Sequence, residues 1–246
     1  MAAALQSAAT SGHQVARVAT DRQRTGAGAA ALFGGVNAIA WIAYFASHAM
    51  VKPAVVGNLA QTYDFLHATA PLYVPLALIL SVVGMATLLF VRGLDERLRP
   101  ASPSLSQLAA LCGVAGVVIL EVDYMTYFFV QERMLLGADR AAVEALIPGF
   151  SVLAPVAAML AALFLAAWIG LISVISRGSA GFPTPLRYLG FLAAVTLVSG
   201  EFLQFGAVHP LEVFLVGTSL LMDVWLVWAG VLVWRLRQPT PAADRR

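Results

Sequence analysis

The amino-acid sequence predicts an all-α polytopic membrane protein, a bundle of six transmembrane helices with both termini in the cytoplasm. The first reason is the composition. Of the 246 residues, 60% are hydrophobic and 11% are charged, and the mean hydropathy is +0.83. Soluble domains carry about 25% charged residues. The low charge therefore makes the lipid bilayer the expected surrounding of most of the chain.

Six long apolar runs are the second reason, because a helix needs about 20 mostly apolar residues to span a bilayer. The predicted spans cover residues 28–50, 71–91, 107–130, 151–175, 186–207 and 211–234. They divide the chain into a cytoplasmic tail over residues 1–27, predicted to be disordered, a transmembrane domain over 28–235 and a cytoplasmic tail over 236–246. The Ser-, Ala- and Arg-rich residues 1–25 leave a transit peptide as the alternative for the N-terminus.

The distribution of basic residues is the third reason, and it sets the orientation. The two tails and the loops after the second and fourth spans hold twelve basic residues, whereas the opposite loops hold Lys52, Arg133 and Arg140. Basic residues concentrate on the cytoplasmic side of membrane proteins, so both termini are predicted to lie there. The excess of arginine over lysine and the many alanines indicate a high-GC bacterial genome. The expected location is the bacterial cytoplasmic membrane.

Two outer loops carry signals of short helices at the membrane surface. Residues 58–70 contain Tyr63, Asp64 and His67. Residues 138–147 have apolar residues at helical spacing, and Asp139 is placed to cap the first turn. Both loops are therefore predicted to form short interfacial helices.

Four carboxyl groups fall inside the predicted spans, and they are the candidate catalytic residues: Glu121, Asp123, Glu201 and Asp223. An ionisable group in hydrocarbon costs at least a few kcal/mol, so it usually faces the bundle interior and has a function. No basic residue lies at the same depth. A carboxyl buried without a cation tends to stay protonated, which suits a proton donor or relay.

Other polar and aromatic residues accompany these acids in the middle and outer parts of the predicted bundle. The cavity-lining candidates are Asn37, Tyr124, Tyr127, Gln204, Trp225 and Trp228. The outer-rim candidates are His48, Asp64, His67, His209 and Glu212. Because the inner half is almost entirely apolar, the pattern predicts a polar cavity that opens outward. Glu121 shares a helix face with Tyr124, whereas Asp123 points to another side of the same helix.

The sequence assigns no metal and no cofactor. The outer histidines and acids are suitable metal donors, which leaves a metal site as an open alternative. No pair has the i, i+4 spacing of a helical motif such as HExxH. The basic residues flank apolar runs and form no patch, so no nucleic-acid partner is expected. Cys112 is the single cysteine, so the chain forms no internal disulfide.

A stripe of small residues marks the fourth predicted span. Its members recur every four residues: Ala154, Ala158, Ala162, Ala166 and Gly170. Small residues at this spacing let another helix approach closely. The stripe predicts either packing within the bundle or a contact with a second copy or another membrane protein.

The second half of the chain resembles a group of uncharacterised bacterial membrane proteins. The matching stretch is Trp168-Ile-Gly-Leu-Ile-Ser-Val-Ile-Ser-Arg-Gly178 followed by Phe182-Pro-Thr-Pro-Leu-Arg-Tyr-Leu-Gly190. Six-helix integral membrane proteins of the actinobacterial type carry a similar Trp/Gly-rich helix, a short Arg-Gly-x-Pro turn and a Leu-Gly helix start. This resemblance implies a fold and a location, but no activity.

Three functional classes fit these observations. The first is a membrane-embedded enzyme that does acid/base chemistry on an apolar substrate such as a lipid or isoprenoid. The second is a proton-coupled carrier of small molecules that uses the same acids. The third is a non-catalytic subunit or scaffold, with the alanine stripe as its contact surface. The buried acids favour the first two classes, and the apolar inner half argues against a carrier.

Overall fold

A computed structural model describes residues 21–40, 42–43, 59–178, 182–205 and 212–235. Within these ranges, the side chains of residues 61, 151, 178, 201–205 and 212–219 lie outside the description. The described chain is helical and contains no strand. The prediction of an all-α protein is therefore confirmed.

Six long helices and one short helix make up the described structure. Residues 21–40 and 42–43 form α1. The other helices are α2 (Leu59–Leu98), α3 (Pro103–Leu135), α4 (Arg140–Glu144), α5 (Ile147–Ile175), α6 (Thr184–Phe205) and α7 (Glu212–Arg235). A single 3-10 turn, Ser176–Gly178, follows α5.

Several helices extend beyond the predicted spans. Helix α2 has 40 residues, about 60 Å at 1.5 Å per residue, which is twice the hydrocarbon thickness. Residues 59–70 are thus the first turns of α2, so the prediction of a separate short helix there was wrong. Residues 92–98, predicted as a turn, are its last turns. Residues 21–27, predicted as part of the tail, are helical.

The short helix in the other outer loop is confirmed. Helix α4 begins after Asp139, whose carboxylate accepts a hydrogen bond from Ala142 N at 3.4 Å. The helix is held against α2 by Arg140, which lies 3.3 Å from Asp64 and 4.5 Å from the centre of the Tyr63 ring. The turn before α4 passes through Gly137, whose φ of +74° favours a residue without a side chain.

Three helices of the described part are long and apolar enough to cross a membrane. They are Thr62–Leu98, Pro103–Leu135 and Arg140–Ile175, with mean hydropathies of 2.5, 2.0 and 2.5. Their outer surfaces carry large exposed hydrophobic side chains, such as Val82 at 72% and Leu111 at 69% exposure. A soluble protein rarely exposes so much contiguous apolar surface. The chain is therefore an all-helical protein with candidate membrane spans.

The long helices pack in chain order and the last returns to the first. Helix α2 packs on α3, α3 on α5, α5 on α6, and α6 on α7. Helix α1 reaches α2 through a hydrogen bond from Gln23 to Glu96 and reaches α7 through a hydrogen bond from Asn37 to Asp223. This order places α1, α3 and α7 around a common interior, where the buried acids lie.

The alanine stripe faces the interior of the chain. Ala154, Ala162 and Ala166 are buried, with exposures of 1%, 3% and 5%. The methyl groups of these three residues therefore serve the packing of α5 against its neighbours, whereas Ala158 and Gly170 are half-buried and the contact with a second copy or another membrane protein stays a prediction. Beside the stripe, Phe90, Trp168 and Trp225 pack edge to face, with ring centres 6.2 and 5.6 Å apart.

A small polar cluster joins α2 and α3 at the opposite end from α4. The carboxylate of Asp95 accepts hydrogen bonds from Arg99 and, at 2.7 Å, from Ser106 Oγ. Ser106 also donates to the Asp95 carbonyl at 3.0 Å. The hydrogen bond and charge of Asp95 raise the pKa of Arg99, so the pair keeps both charges at neutral pH. The cluster fixes where α3 begins relative to α2.

We expect Ser106→Ala to lower the free energy of unfolding by about 1 kcal/mol, because Asp95 loses one of its two side-chain donors. Ser104→Ala is the matched control, since Ser104 lies on the same turn but is exposed. The measurement is denaturant unfolding of the protein in detergent micelles. Equal effects of the two substitutions would contradict a role for the Ser106 hydroxyl.

Candidate functional site

A hydrogen-bonded chain of two buried side chains and one half-buried side chain crosses the middle of the bundle. Asn37 Nδ2 of α1 donates to the two carboxyl oxygens of Asp223 on α7, at 3.0 and 3.3 Å. The Tyr124 hydroxyl of α3 donates to Asn37 Oδ1 at 2.9 Å. Asp223 is fully buried and Asn37 is 3% exposed. These bonds join α1, α3 and α7 at one point.

Gly34 allows α1 to approach α7 closely at this point. A Cβ atom on Gly34 would lie 2.7 Å from the Asp223 carbonyl oxygen and 3.1 Å from Leu226 Cβ. Asn37 is three residues further along the same face of α1. The missing side chain at residue 34 therefore brings the Asn37 amide within hydrogen-bond distance of Asp223.

Glu121 forms a second polar position, between α3 and α2. Its carboxyl lies directly over Gly84, where a Cβ atom would be 2.0 Å from Glu121 Oε1. The Glu121 side chain is 8% exposed and borders a small cavity whose other walls include Phe33, Leu165 and Trp168. The cavity volume is about 10 Å³, close to the minimum that one water molecule needs.

The polar atoms at this position lack hydrogen bonds of normal geometry within the described chain. Glu121 Oε1, Ser81 Oγ and Trp168 Nε1 are buried and without a partner. Ser81 is close enough to interact with the Glu121 carboxyl, but the pair does not meet hydrogen-bond geometry. Buried polar groups are almost always hydrogen-bonded, so these three atoms have hydrogen-bonding capacity left for a water molecule or a ligand.

Tyr124 lies between the two positions. Its ring centre is 6.5 Å from that of Phe33, which also borders the Glu121 cavity. The phenol lies within electrostatic range of Asp223, Asp123 and Glu121. Asp123 is also buried, at 9% exposure. The bundle interior thus holds one phenol and three carboxyl groups from two helices, and the phenol is joined to one of them, Asp223, through Asn37.

Glu121 and Asp223 of this interior have no cationic partner in the described part of the chain. No salt bridge in the described part of the chain involves Glu121 or Asp223. Among the described residues, no group of three or more His, Cys, Asp or Glu side chains has the geometry to hold a metal ion. A carboxyl that lacks a cation favours its protonated form when buried. These groups are therefore suited to donate and accept protons.

The structure unites some of the predicted site residues and separates others. It brings together Asn37, Tyr124, Asp223 and, one turn away, Glu121. Trp225 is buried in the aromatic cluster with Trp168. Trp228 is 40% exposed and Tyr127 is 39% exposed, packed edge to face on Phe150, so neither lines the cavity around Glu121.

The predicted outer residues lie elsewhere or outside the description. Asp64 pairs with Arg140, and His67 stacks on Tyr63 with ring centres 5.9 Å apart. His48 and His209 are outside the described residues, and so are the side chains of Glu201, Gln204 and Glu212. The predicted outward-facing cavity stays a prediction, because residues 44–58 and 206–211 also lie outside the described ranges.

Four residues of the site were not predicted: Phe33, Ser81, Gly84 and Trp168. Phe33 and Trp168 look like ordinary core residues in the sequence, and only their place around Glu121 distinguishes them. Gly84 and Ser81 are small residues in the second span, which is the usual sign of close helix contact. These small residues indicate that another helix lies close to α2, but they do not identify the neighbouring group as a carboxyl.

Comparison of the chain with family models, with curated proteins and with solved structures finds no match.

Proposed function

We propose that this protein is a six-span protein of the bacterial cytoplasmic membrane whose buried carboxyl groups do acid/base chemistry on an apolar substrate, such as a lipid or isoprenoid. One observation carries the proposal. The Glu121 carboxyl borders an apolar cavity, and its Oε1 atom has no hydrogen-bond partner among the described residues. Both termini are proposed to be cytoplasmic, from the distribution of the basic residues.

The surroundings of Glu121 support the role of a proton donor. The cavity beside Glu121 has a volume of only about 10 Å³, so the proposed function requires the surrounding side chains to move apart when an apolar substrate enters. A protonated carboxyl shielded from water is then able to act as the general acid toward a basic group or double bond of that substrate. The cavity walls are almost entirely apolar, and they include the rings of Phe33 and Trp168. Aromatic faces stabilise positive charge at close range, which is the charge that protonation of an alkene produces.

Asp223 and its partners support the role of the second acid/base group. The Asn37 amide donates to the two oxygens of Asp223 and holds the carboxyl in one orientation, and Tyr124 in turn orients Asn37. Tyr124 lies within electrostatic range of both Glu121 and Asp223. Two acids in one interior are suited to proton donation by one and proton acceptance by the other.

The same hydrogen-bonded chain favours one alternative, a proton-coupled carrier. Protonation of Asp223 changes the hydrogen bonds of a chain that links three helices, and so changes how those helices pack. Buried acids of this kind occur in proton-driven transporters. The alternative places the same residues in a proton-binding role. The carrier hypothesis predicts proton flux across the membrane and no chemical change in the transported molecule, whereas the enzyme hypothesis predicts a chemical change.

The test compares the lipid extracts of bacteria that express wild-type protein, Glu121→Gln or Glu132→Gln, measured by mass spectrometry. Cells with the wild-type protein are expected to contain less of one apolar species, the substrate, and more of another, the product. Glu121→Gln should slow this conversion by at least about 100-fold, the usual contribution of a general acid. Glu132→Gln is the matched control, because Glu132 lies on the same helix near its outer end. It should behave as wild type.

Two further measurements make the result decisive. Gly84→Ala should abolish the change as Glu121→Gln does, since the added methyl displaces the carboxyl. Vesicles containing the purified protein and a pH-sensitive dye test the carrier. Proton flux that depends on Glu121, with unchanged lipid extracts, would overturn the enzyme proposal in favour of the carrier. Wild-type behaviour of Glu121→Gln in both measurements would overturn both.

A further inference from the structure

The turn between α5 and α6 carries two arginines whose charges are not balanced by the described chain. Arg187 lies in the first turn of α6, and its Nε is buried without a hydrogen-bond partner among the described residues. Arg177 lies in the 3-10 turn after α5 and is exposed. Neither forms a salt bridge within the described ranges.

The two guanidinium groups are brought to the same face of α6. The guanidinium carbon of Arg177 lies 5.8 Å from the centre of the Phe191 ring. Phe191 follows Arg187 by four residues, so both side chains project from one face of the helix. The 3-10 turn that carries Arg177 packs on α6. No described carboxylate forms a salt bridge with either guanidinium, so both positive charges at this face attract an anion.

Two acids at this end of the described helices, Asp95 and Glu96, have other partners. Asp95 is bound to Arg99 and Ser106, and Glu96 is bound to Arg92. Exposed aromatic residues lie at the same end, Tyr188 at 69% and Trp234 at 52% exposure. Tyrosine and tryptophan concentrate at the level of the lipid headgroups. The arginine pair therefore lies where headgroups reach it.

We propose that Arg177 and Arg187 bind the phosphate of an anionic phospholipid headgroup at the α5–α6 turn. A guanidinium presents a planar set of N–H donors that matches two phosphate oxygens, and such charge-assisted bonds are among the strongest in proteins. The buried Arg187 Nε supplies a fixed donor, and the exposed Arg177 closes over the phosphate from the solvent side. This site is independent of the acid/base function of the bundle interior.

The experiment measures lipid binding by native mass spectrometry and thermal unfolding on the purified, delipidated full-length protein. Phosphatidylglycerol should bind and raise the unfolding temperature, and phosphatidylcholine, which has the same phosphate but no net charge, should bind at least about tenfold more weakly. Arg177→Gln and Arg187→Gln should each weaken phosphatidylglycerol binding by about tenfold, the size of one lost charge-assisted hydrogen bond. Arg92→Gln is the matched control, since Arg92 is exposed at the same end and already paired with Glu96.

The outcomes separate the sources of the phosphate. Competition by millimolar inorganic phosphate would support a site that recognises the phosphate group itself, and binding that resists inorganic phosphate would support recognition of the whole lipid. An equal loss of binding in Arg92→Gln would overturn the proposal, because it would show general charge attraction. Equal binding of phosphatidylcholine would also overturn it, because it would show that the site does not select an anionic headgroup. Arg177 is exposed, so its variant tests the site without disturbing the fold.

Discussion

Asn37→Leu is expected to lower the free energy of unfolding by about 2–3 kcal/mol. The substitution removes the one side chain that joins Tyr124 and Asp223, and each buried polar group left without its partner costs about 1–3 kcal/mol. Two such groups together would cost about 2–6 kcal/mol. We expect a loss at the lower end of this range because interhelical hydrogen bonds in bilayers average about 0.6 kcal/mol. The measurement is denaturant unfolding in mixed micelles.

Two variants control for this result. Thr87→Val also removes a buried polar atom, but the Thr87 hydroxyl donates only to Val83 of its own helix, at 3.0 Å, so its effect should stay under about 1 kcal/mol. Asp223→Asn keeps an acceptor for Asn37 and should unfold almost as wild type while losing the acid. An Asn37→Leu protein as stable as wild type would show that the three-helix network does not hold the bundle together.

Gly34→Ala is expected to cost about 1–3 kcal/mol, as overpacked interiors do. The new methyl would lie 2.7 Å from the Asp223 carbonyl oxygen, which is backbone and does not move aside by a change of rotamer. Helix α1 must therefore shift away from α7, and the hydrogen bond from Asn37 to Asp223 lengthens. Thermal unfolding of the detergent-extracted protein measures the effect.

The adjacent residue supplies the control. A Cβ atom on Gly35 meets no atom within 4 Å, and alanine is favoured over glycine in a helix by about 1 kcal/mol. Gly35→Ala should therefore be neutral or stabilising. In the double variant Gly34→Ala with Asn37→Leu the two losses should not add, because both act on one contact. Additive losses would mean that Gly34 and Asn37 act independently.

The helical fold and much of the interior polar set were predictable from the sequence. Long apolar runs specify helices by composition alone, because the chain's own backbone groups must satisfy each other where water is absent. The depth of Asn37, Tyr124 and Asp223 followed from their places in those runs. That these three residues form one hydrogen-bonded chain was not predicted, since Asn37 and Asp223 are separated by 186 residues in the chain.

Helix ends and side-chain partners were predicted less well. Polar residues such as Tyr63, Asp64 and Arg92 suggested loops, but α2 continues through all of them, since a helix that leaves the bilayer keeps its backbone hydrogen bonds in water. Trp228 was predicted to line a cavity, and its side chain is 40% exposed and does not border the cavity beside Glu121. A residue's place in a run gives its depth, and only the rotation of the packed helix decides which side it faces.

By itself the sequence determined that this protein is helical, that it is suited to a membrane, and that acids without cations lie in its interior. Those properties depend on local composition and on the cost of burying charge. Only the tertiary structure decided that Glu121 rests on Gly84, that Asn37 joins Tyr124 to Asp223, and that Arg177 reaches the Arg187 face of α6. Each of these contacts joins two helices, and how two helices meet depends on small residues and side-chain shapes along both of them.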